Sequence, residues 1–116
     1  KKADFVRVHD SGDYYSKEYL LKWFVIAEAL PNVKFYSYTN NINMIKKLKS
    51  IPINYDFIFS DSGKQKQLIN KTTDRHTKIF KSKLELDRAG YKDTSDFDLY
   101  STRWYNDSNN VGLIIH

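Results

Sequence analysis

A chain of 116 residues, 41% hydrophobic and 16% aromatic, is long enough to bury one core and too short for two, so residues 1–116 read as a single domain. It contains no cysteine, which excludes disulfides, thiolate metal sites and a cysteine nucleophile and fits a reducing compartment. The net charge of +5 is uneven: residues 64–83 carry seven Lys or Arg against one Asp, and residues 84–116 carry three basic against six acidic residues. Such a distribution is read either as a basic face with an anionic partner or as a solvated, lysine-rich loop.

The start of the chain, Lys1 to Asp13, lacks the apolar segment of a signal peptide. The longest apolar run, Tyr19 to Leu30, is interrupted by Lys22 and Glu28 and is too short to span a bilayer, so a soluble protein with no membrane partner is expected. The start at Lys1 and the stop at His116 directly after an apolar run read as cut ends.

Phe5 to Val8 reads as a strand, and Asp10-Ser11-Gly12-Asp13 as the turn that ends it. Ser16 is an N-cap, Glu18 suits the first turn, and a helix over Ser16–Leu30 places Leu20, Trp23, Phe24, Ala27 and Leu30 on one face. That much apolar surface predicts burial against a sheet and against a second neighbour. Pro31-Asn32 stops the helix. Val33–Tyr38 reads as a second strand, Ile42–Lys49 as a short helix blocked by Pro52, and Tyr55–Ser60 as a third strand ending in Asp61-Ser62-Gly63. The order β-α-β-α-β with short connections predicts an α/β fold built on a mostly parallel sheet with right-handed crossovers.

The second half is less regular. Residues 62–77 lack periodicity and read as an extended basic loop, the basic stretch as a whole covering about 62–83. Ser82–Ala89 is expected as a short helix ended by Gly90, with a strand around Phe97–Tyr100 and another over Gly112–Ile115.

In a parallel sheet the carboxyl ends of the strands lie along one edge. That rule gathers His9, Asp10 and Asp13 after the first strand, Tyr38 and Thr39 after the second, Ser60 and Asp61 after the third, and His116 if the last strand is a parallel neighbour. One reading of this set is catalytic, with His9, Asp10, Asp13 and Asp61 acting on a phosphodiester or another polar substrate. A divalent metal held by His9, Asp13 and His116 would suit it; no cofactor is otherwise implied. The plainer reading is that Asp10, Ser11 and Asp13 satisfy loop amides and cap the helix, that His116 is an ordinary residue continuing a strand of a longer parent chain, and that His76 is solvated.

A second constellation suits nucleic acid. Lys64, Lys66, Lys71, Arg75, Lys78, Lys81 and Lys83 could neutralise phosphates. Tyr14, Tyr15 and Tyr38, with Tyr36, Tyr91 and Tyr105, offer rings on which unpaired bases could stack. This rests on composition, since no RNP, KH or helix-turn-helix signature is present. P-loop, GxGxxG and nucleophile-elbow motifs are likewise missing from the sequence.

The run VRVHDSGDYYSKEYLLKWFVIAEALPNVKFYSYTN resembles the phage gene product 88 family. The matching elements are His9, Ser11, Gly12, Asp13 and Tyr14 in the turn, Glu18, Tyr19 and Trp23 in the helix, Pro31 after it, and Phe35, Tyr36, Tyr38 and Thr39 in the next strand. Pro52, Asn54, the Ser60–Gly63 turn and the closing Gly112–His116 are also similar, so the resemblance covers most of the chain. It implies phage origin, expression in the host cytoplasm, and the Ser11-Gly12-Asp13 turn as the functional spot. Many relatives carry an upstream Cys-rich segment that suggests a metal or iron–sulfur cluster. This chain has no Cys and has Asn40-Asn41 where relatives often have Lys-Ser, so cluster chemistry does not carry over.

The leading expectation is therefore a small phage protein that binds RNA or single-stranded nucleic acid and acts against a host or defence machine, in the manner of an anti-CRISPR. The alternatives are a metal-dependent hydrolase or nuclease, and a protein-binding module that blocks a host complex.

Overall fold

In the strands Val33–Thr39 and Tyr55–Ser60, side chains alternate between two faces, and both faces are covered. The computed structural model describes residues 4–8, 14 and 16–114. Its strands are β1 (Asp4–Arg7), β2 (Val33–Thr39), β3 (Tyr55–Ser60), β4 (His76–Phe80), β5 (Lys92–Asp93) and β6 (Asn110–Ile114). Its helices are α1 (Lys17–Ala29), α2 (Ile42–Lys46) and α3 (Lys83–Arg88), with 3-10 turns at Lys66–Leu68 and Asp98–Ser101. The strands form one sheet in the order β1-β2-β3-β4-β6-β5, and every pairing is parallel. The α/β class and the parallel sheet expected from the sequence are both present.

One face of the sheet is the helix face. Phe35, Tyr55, Phe57 and Phe59 point into it and meet Leu20, Phe24 and Ala27 of α1 and Ile42 and Ile45 of α2 in one buried cluster. Its rings pack edge-on or tilted, with Phe24 and Tyr55 centroids 5.1 Å apart and Tyr55 and Phe57 4.9 Å apart. α3 covers the same face farther along. Gly112 of β6 lies there under Leu86, and a Cβ at position 112 would stand 2.6 Å from Leu86 Cδ1, so only glycine admits this approach.

Local chemistry sets the helix ends. The Ser16 hydroxyl accepts from the Tyr19 amide at 3.1 Å, the cap expected from the sequence. At the other end the buried Asn54 amide donates to the carbonyls of Ala27 and Leu30 at the close of α1 and of Val33 at the start of β2, tying the two elements together. Ser82 caps α3 by accepting from the Glu85 amide, and Gly90 follows it with φ of 77°, a left-handed stop.

Two sequence expectations need correction. The basic stretch 62–77 is not one extended loop, since it holds a 3-10 turn and its end enters β4, where His76 and Thr77 are buried. Phe97–Tyr100 is not a strand; the chain turns there because the Thr102 amide and hydroxyl both bond back to the Leu99 carbonyl. Besides the sheet, α1 shares its buried cluster with α2, while Leu21, Val25 and Leu30 stay exposed on its outer side.

The other face carries Tyr36, Ile58 and Val111, packed against Leu99 and Trp104. Residues 94–106 cross this face as a strap from β5 to the β1 edge, where Phe5 meets the rings of Trp104 and Tyr105. The sheet is staggered beneath the strap. β3 pairs with β4 only through Phe59↔His76 and Ser60↔Thr77, so Lys78–Phe80 run on past the end of β3 alongside β6.

Candidate functional site

Where β4 overshoots β3, the strap face opens into a cavity of about 800 Å³ at the carboxyl edge of the sheet. That is within the roughly 300–1,000 Å³ of typical ligand pockets, and the carboxyl edge is where open α/β sheets place them. Its floor is apolar. Ile79, 51% exposed although it sits in an inner strand, lies there beside Leu113. Tyr38 and Arg7 form one wall, with the guanidinium carbon 4.7 Å from the ring centroid. Ser60, Asp61, Ser62 and Thr77 line the β3 side, and Thr94, Ser95, Asp96 and Asp98 the strap side.

Asp98 organises the wall. It accepts from the Tyr36 hydroxyl at 2.5 Å and from the Tyr38 hydroxyl at 3.1 Å, and pairs with Arg7 at 3.2 Å. Because Tyr38 gives its proton to Asp98, the Ser101 hydroxyl is the donor in the short bond between Ser101 and Tyr38. Burial and the neighbouring carboxylate push the Tyr38 phenol up to about 12, with the Ser101 hydrogen bond opposing. Tyr36 is raised as well, by burial first and then by its bond to Asp98.

Behind the cavity the strap is fastened by a buried charge network. The Asp56 carboxylate accepts from the Arg103 amide at 2.9 Å and lies 3.4 Å from the Arg103 guanidinium and 3.8 Å from that of Arg75. Arg75 also donates to the carbonyls of Ser101 at 3.2 Å and Asn106 at 2.6 Å. Burial raises Asp56 above the usual carboxylate value, opposed first by the amide and guanidinium of Arg103 and then by Arg75, and burial lowers Arg75, opposed by Asp56.

The residues singled out from the sequence fall into three groups. Tyr38, Asp61 and Lys78 line the cavity. Asp61 has Lys71 3.7 Å away, and its amide donates to Thr77 Oγ1 at 3.4 Å. Lys64, Lys66 and Lys71 are exposed in the loop leaving β3, and Lys81 and Lys83 are exposed just after β4. Lys83 pairs with Asp87 at 3.4 Å, whereas Lys64, Lys66 and Lys81 make no ion pair among the described residues.

Three of the residues expected at a nucleic-acid surface are buried instead, Tyr36 beneath the strap with its hydroxyl on Asp98. Tyr14 is 1% exposed, its hydroxyl bonded to Ser37 and Tyr55 at 2.6 and 2.5 Å, so its ring offers no stacking face. Arg75 is committed to the strap as described. His76 is not solvated but fully buried. Its Nδ1–H faces the Asp74 carbonyl at 2.8 Å, leaving Nε2 to accept from the Tyr91 hydroxyl at 2.7 Å. His9, Asp10, Asp13, Tyr15 and His116 lie outside the described residues. Among the described residues no group of three or more His, Cys, Asp or Glu is placed to hold a metal ion.

Sequence reasoning missed Asp96, Asp98 and the Asp56–Arg75–Arg103 network. Asp98 meets its Tyr36 partner across 62 positions in the chain, and Asp56 meets Arg103 across 47, which no local pattern records.

Fold and cavity together define a small parallel α/β domain with a ligand-sized crevice at its carboxyl edge. The chain belongs to the gene product 88 family of phage proteins, whose family model matches residues 1–113. No curated protein and no solved structure is detectably similar to it. Among the described residues no helix is long and apolar enough to cross a membrane.

Proposed function

We propose that the protein binds single-stranded nucleic acid, RNA in particular, along the carboxyl edge of its sheet. The observation that carries this reading is the exposure of Lys64, Lys66 and Lys81, without acidic partners among the described residues, on loops that leave adjacent strands at that edge. Ammonium groups on neighbouring loops suit a phosphate backbone that passes across both. Lys71 and Lys83 extend the row, although each has a carboxylate nearby. Serine and threonine hydroxyls behind the row are suited to ribose 2′-hydroxyls, the group that separates RNA from DNA. In an infected cell such a protein would act in the host cytoplasm by sequestering an RNA that a host or defence machine requires.

Fluorescence anisotropy with a labelled mixed-sequence RNA decamer tests this. Wild-type protein is expected to bind at low salt with a log–log salt slope that the K64A/K66A/K81A variant reduces by roughly 2, about 0.7 per lost phosphate contact. Equal affinity and equal slope for the two proteins would remove the lysine row from any role.

A further inference from the structure

Resting on that reading, we infer that the strap-face cavity holds one nucleobase of the bound strand, with the lysine row holding the phosphates on either side. The argument comes from the pattern of polarity within the cavity. Its floor is apolar, with Ile79 half-exposed in the one part of β4 that β3 does not flank, and with Leu113 beside it. An exposed isoleucine on an inner strand is what remains when a face is left for something flat and apolar to cover. Ile79 and Leu113 are partners across β4 and β6, and polar groups border that apolar pair: Thr77 before it on β4, Ser60, Asp61 and Ser62 on one side, Ser95 and Asp96 on the other.

A nucleobase has the same distribution, two apolar π-faces and an edge of hydrogen-bond donors and acceptors. The Tyr38–Arg7 stack supplies the kind of wall on which bases are held. Charge agrees with this division of labour. Inside the cavity Asp61, Asp96 and Asp98 outnumber Arg7 and Lys78, which suits a neutral base with N–H donors and disfavours a phosphate there. The unpaired lysines lie outside it, on the loops that follow Ser62 and Phe80.

The test compares the RNA decamer with its abasic counterpart, which keeps the phosphates and lacks the bases. Wild-type protein is expected to bind the intact strand on the order of ten-fold more tightly. Ser62→Trp, an exposed loop position that would plug the cavity mouth, and Ile79→Asp, which charges the floor, should each bring the intact strand down to the abasic affinity. Abasic binding itself should stay unchanged. Equal wild-type affinity for the two strands would overturn the cavity assignment while leaving the lysine row standing, as would variants that weaken both strands alike. If neither strand binds, the lysine-row reading fails. Titration with free adenosine and guanosine 5′-monophosphate then decides the cavity alone: saturable binding lost in Ser62→Trp supports it, and no binding overturns it.

Discussion

The two faces of the sheet are built by opposite means. The helix face is closed with aromatic and aliphatic surface, and the polar groups buried there are few and paired, such as Tyr14 with Ser37 and Tyr55. The strap face is fastened at points, by Asp56 to two arginines and by Asp98 to two tyrosines and Arg7. Apolar packing is continuous, and the spaces left beside it, lined by Phe24, Ile45 and Pro52 among others, are only about 330 and 350 Å³. Point fastening fixes a segment of chain while leaving a gap between the fasteners, and the cavity occupies that gap. One face thus carries stability and the other carries both stability and a place for a ligand.

The largest test of this contrast uses neighbours on β3 that point to opposite faces. Phe57→Ala removes a buried ring from the helix face and should cost about 3–5 kcal/mol. Asp56→Ala leaves the buried Arg75 guanidinium without its counter-charge and should cost a similar ~3–5 kcal/mol by urea denaturation. The two should differ in what else they change: Asp56→Ala should loosen the strap, seen as faster amide exchange at Thr102–Asn106, and Phe57→Ala should not. Slow exchange throughout the strap in the Asp56 variant would show that the network does not fasten it.

Asp98→Ala follows in size. It removes the acceptor of two tyrosine hydroxyls and the partner of Arg7, and a loss of roughly 2 kcal/mol is expected, together with weaker discrimination between intact and abasic RNA. A stable variant with discrimination intact would mean that the wall holds without its carboxylate.

The same wall predicts an alkaline limit. A phenol whose ionisation is raised on folding contributes stability that is complete below its unfolded value near 10 and is lost as pH climbs through the folded value. For Tyr38 that window runs from 10.0 to about 12. Stability should fall across it, and Tyr38→Phe should flatten the fall; an identical pH profile for the two proteins would exclude Tyr38 as its source.

The smallest effect belongs to the rim. K64A/K66A/K81A should leave stability within about 0.5 kcal/mol, because these side chains are exposed and make no ion pair among the described residues. A larger loss would make them structural.

How far each face could be read beforehand follows from the same difference. The helix face was legible because its determinants are local: Ser16 as cap, the helical spacing of Leu20, Phe24 and Ala27, the alternation of Phe35, Tyr55, Phe57 and Phe59, and Gly90 as a stop. β4 escaped notice because Lys78 and an exposed Ile79 blur its alternation, a consequence of the stagger that opens the cavity. The strap was illegible because its shape depends on Asp98 and Arg103 finding partners 47 to 62 positions away. The parallel-sheet rule placed Tyr38 and Asp61 at the carboxyl edge of the sheet, and the cavity that joins them to Asp96 and Asp98 needed the tertiary structure.

The central claim, that the carboxyl edge of the strap face is the binding face, is tested most directly by amide chemical-shift mapping during titration with the RNA decamer. Shifts concentrated at Ser60–Lys66, Lys78–Lys81 and Thr94–Asp98, with the outer side of α1 silent, are the predicted result. Shifts centred on Leu21, Val25 and Leu30 of the α1 region, or no shifts at low salt, would contradict it.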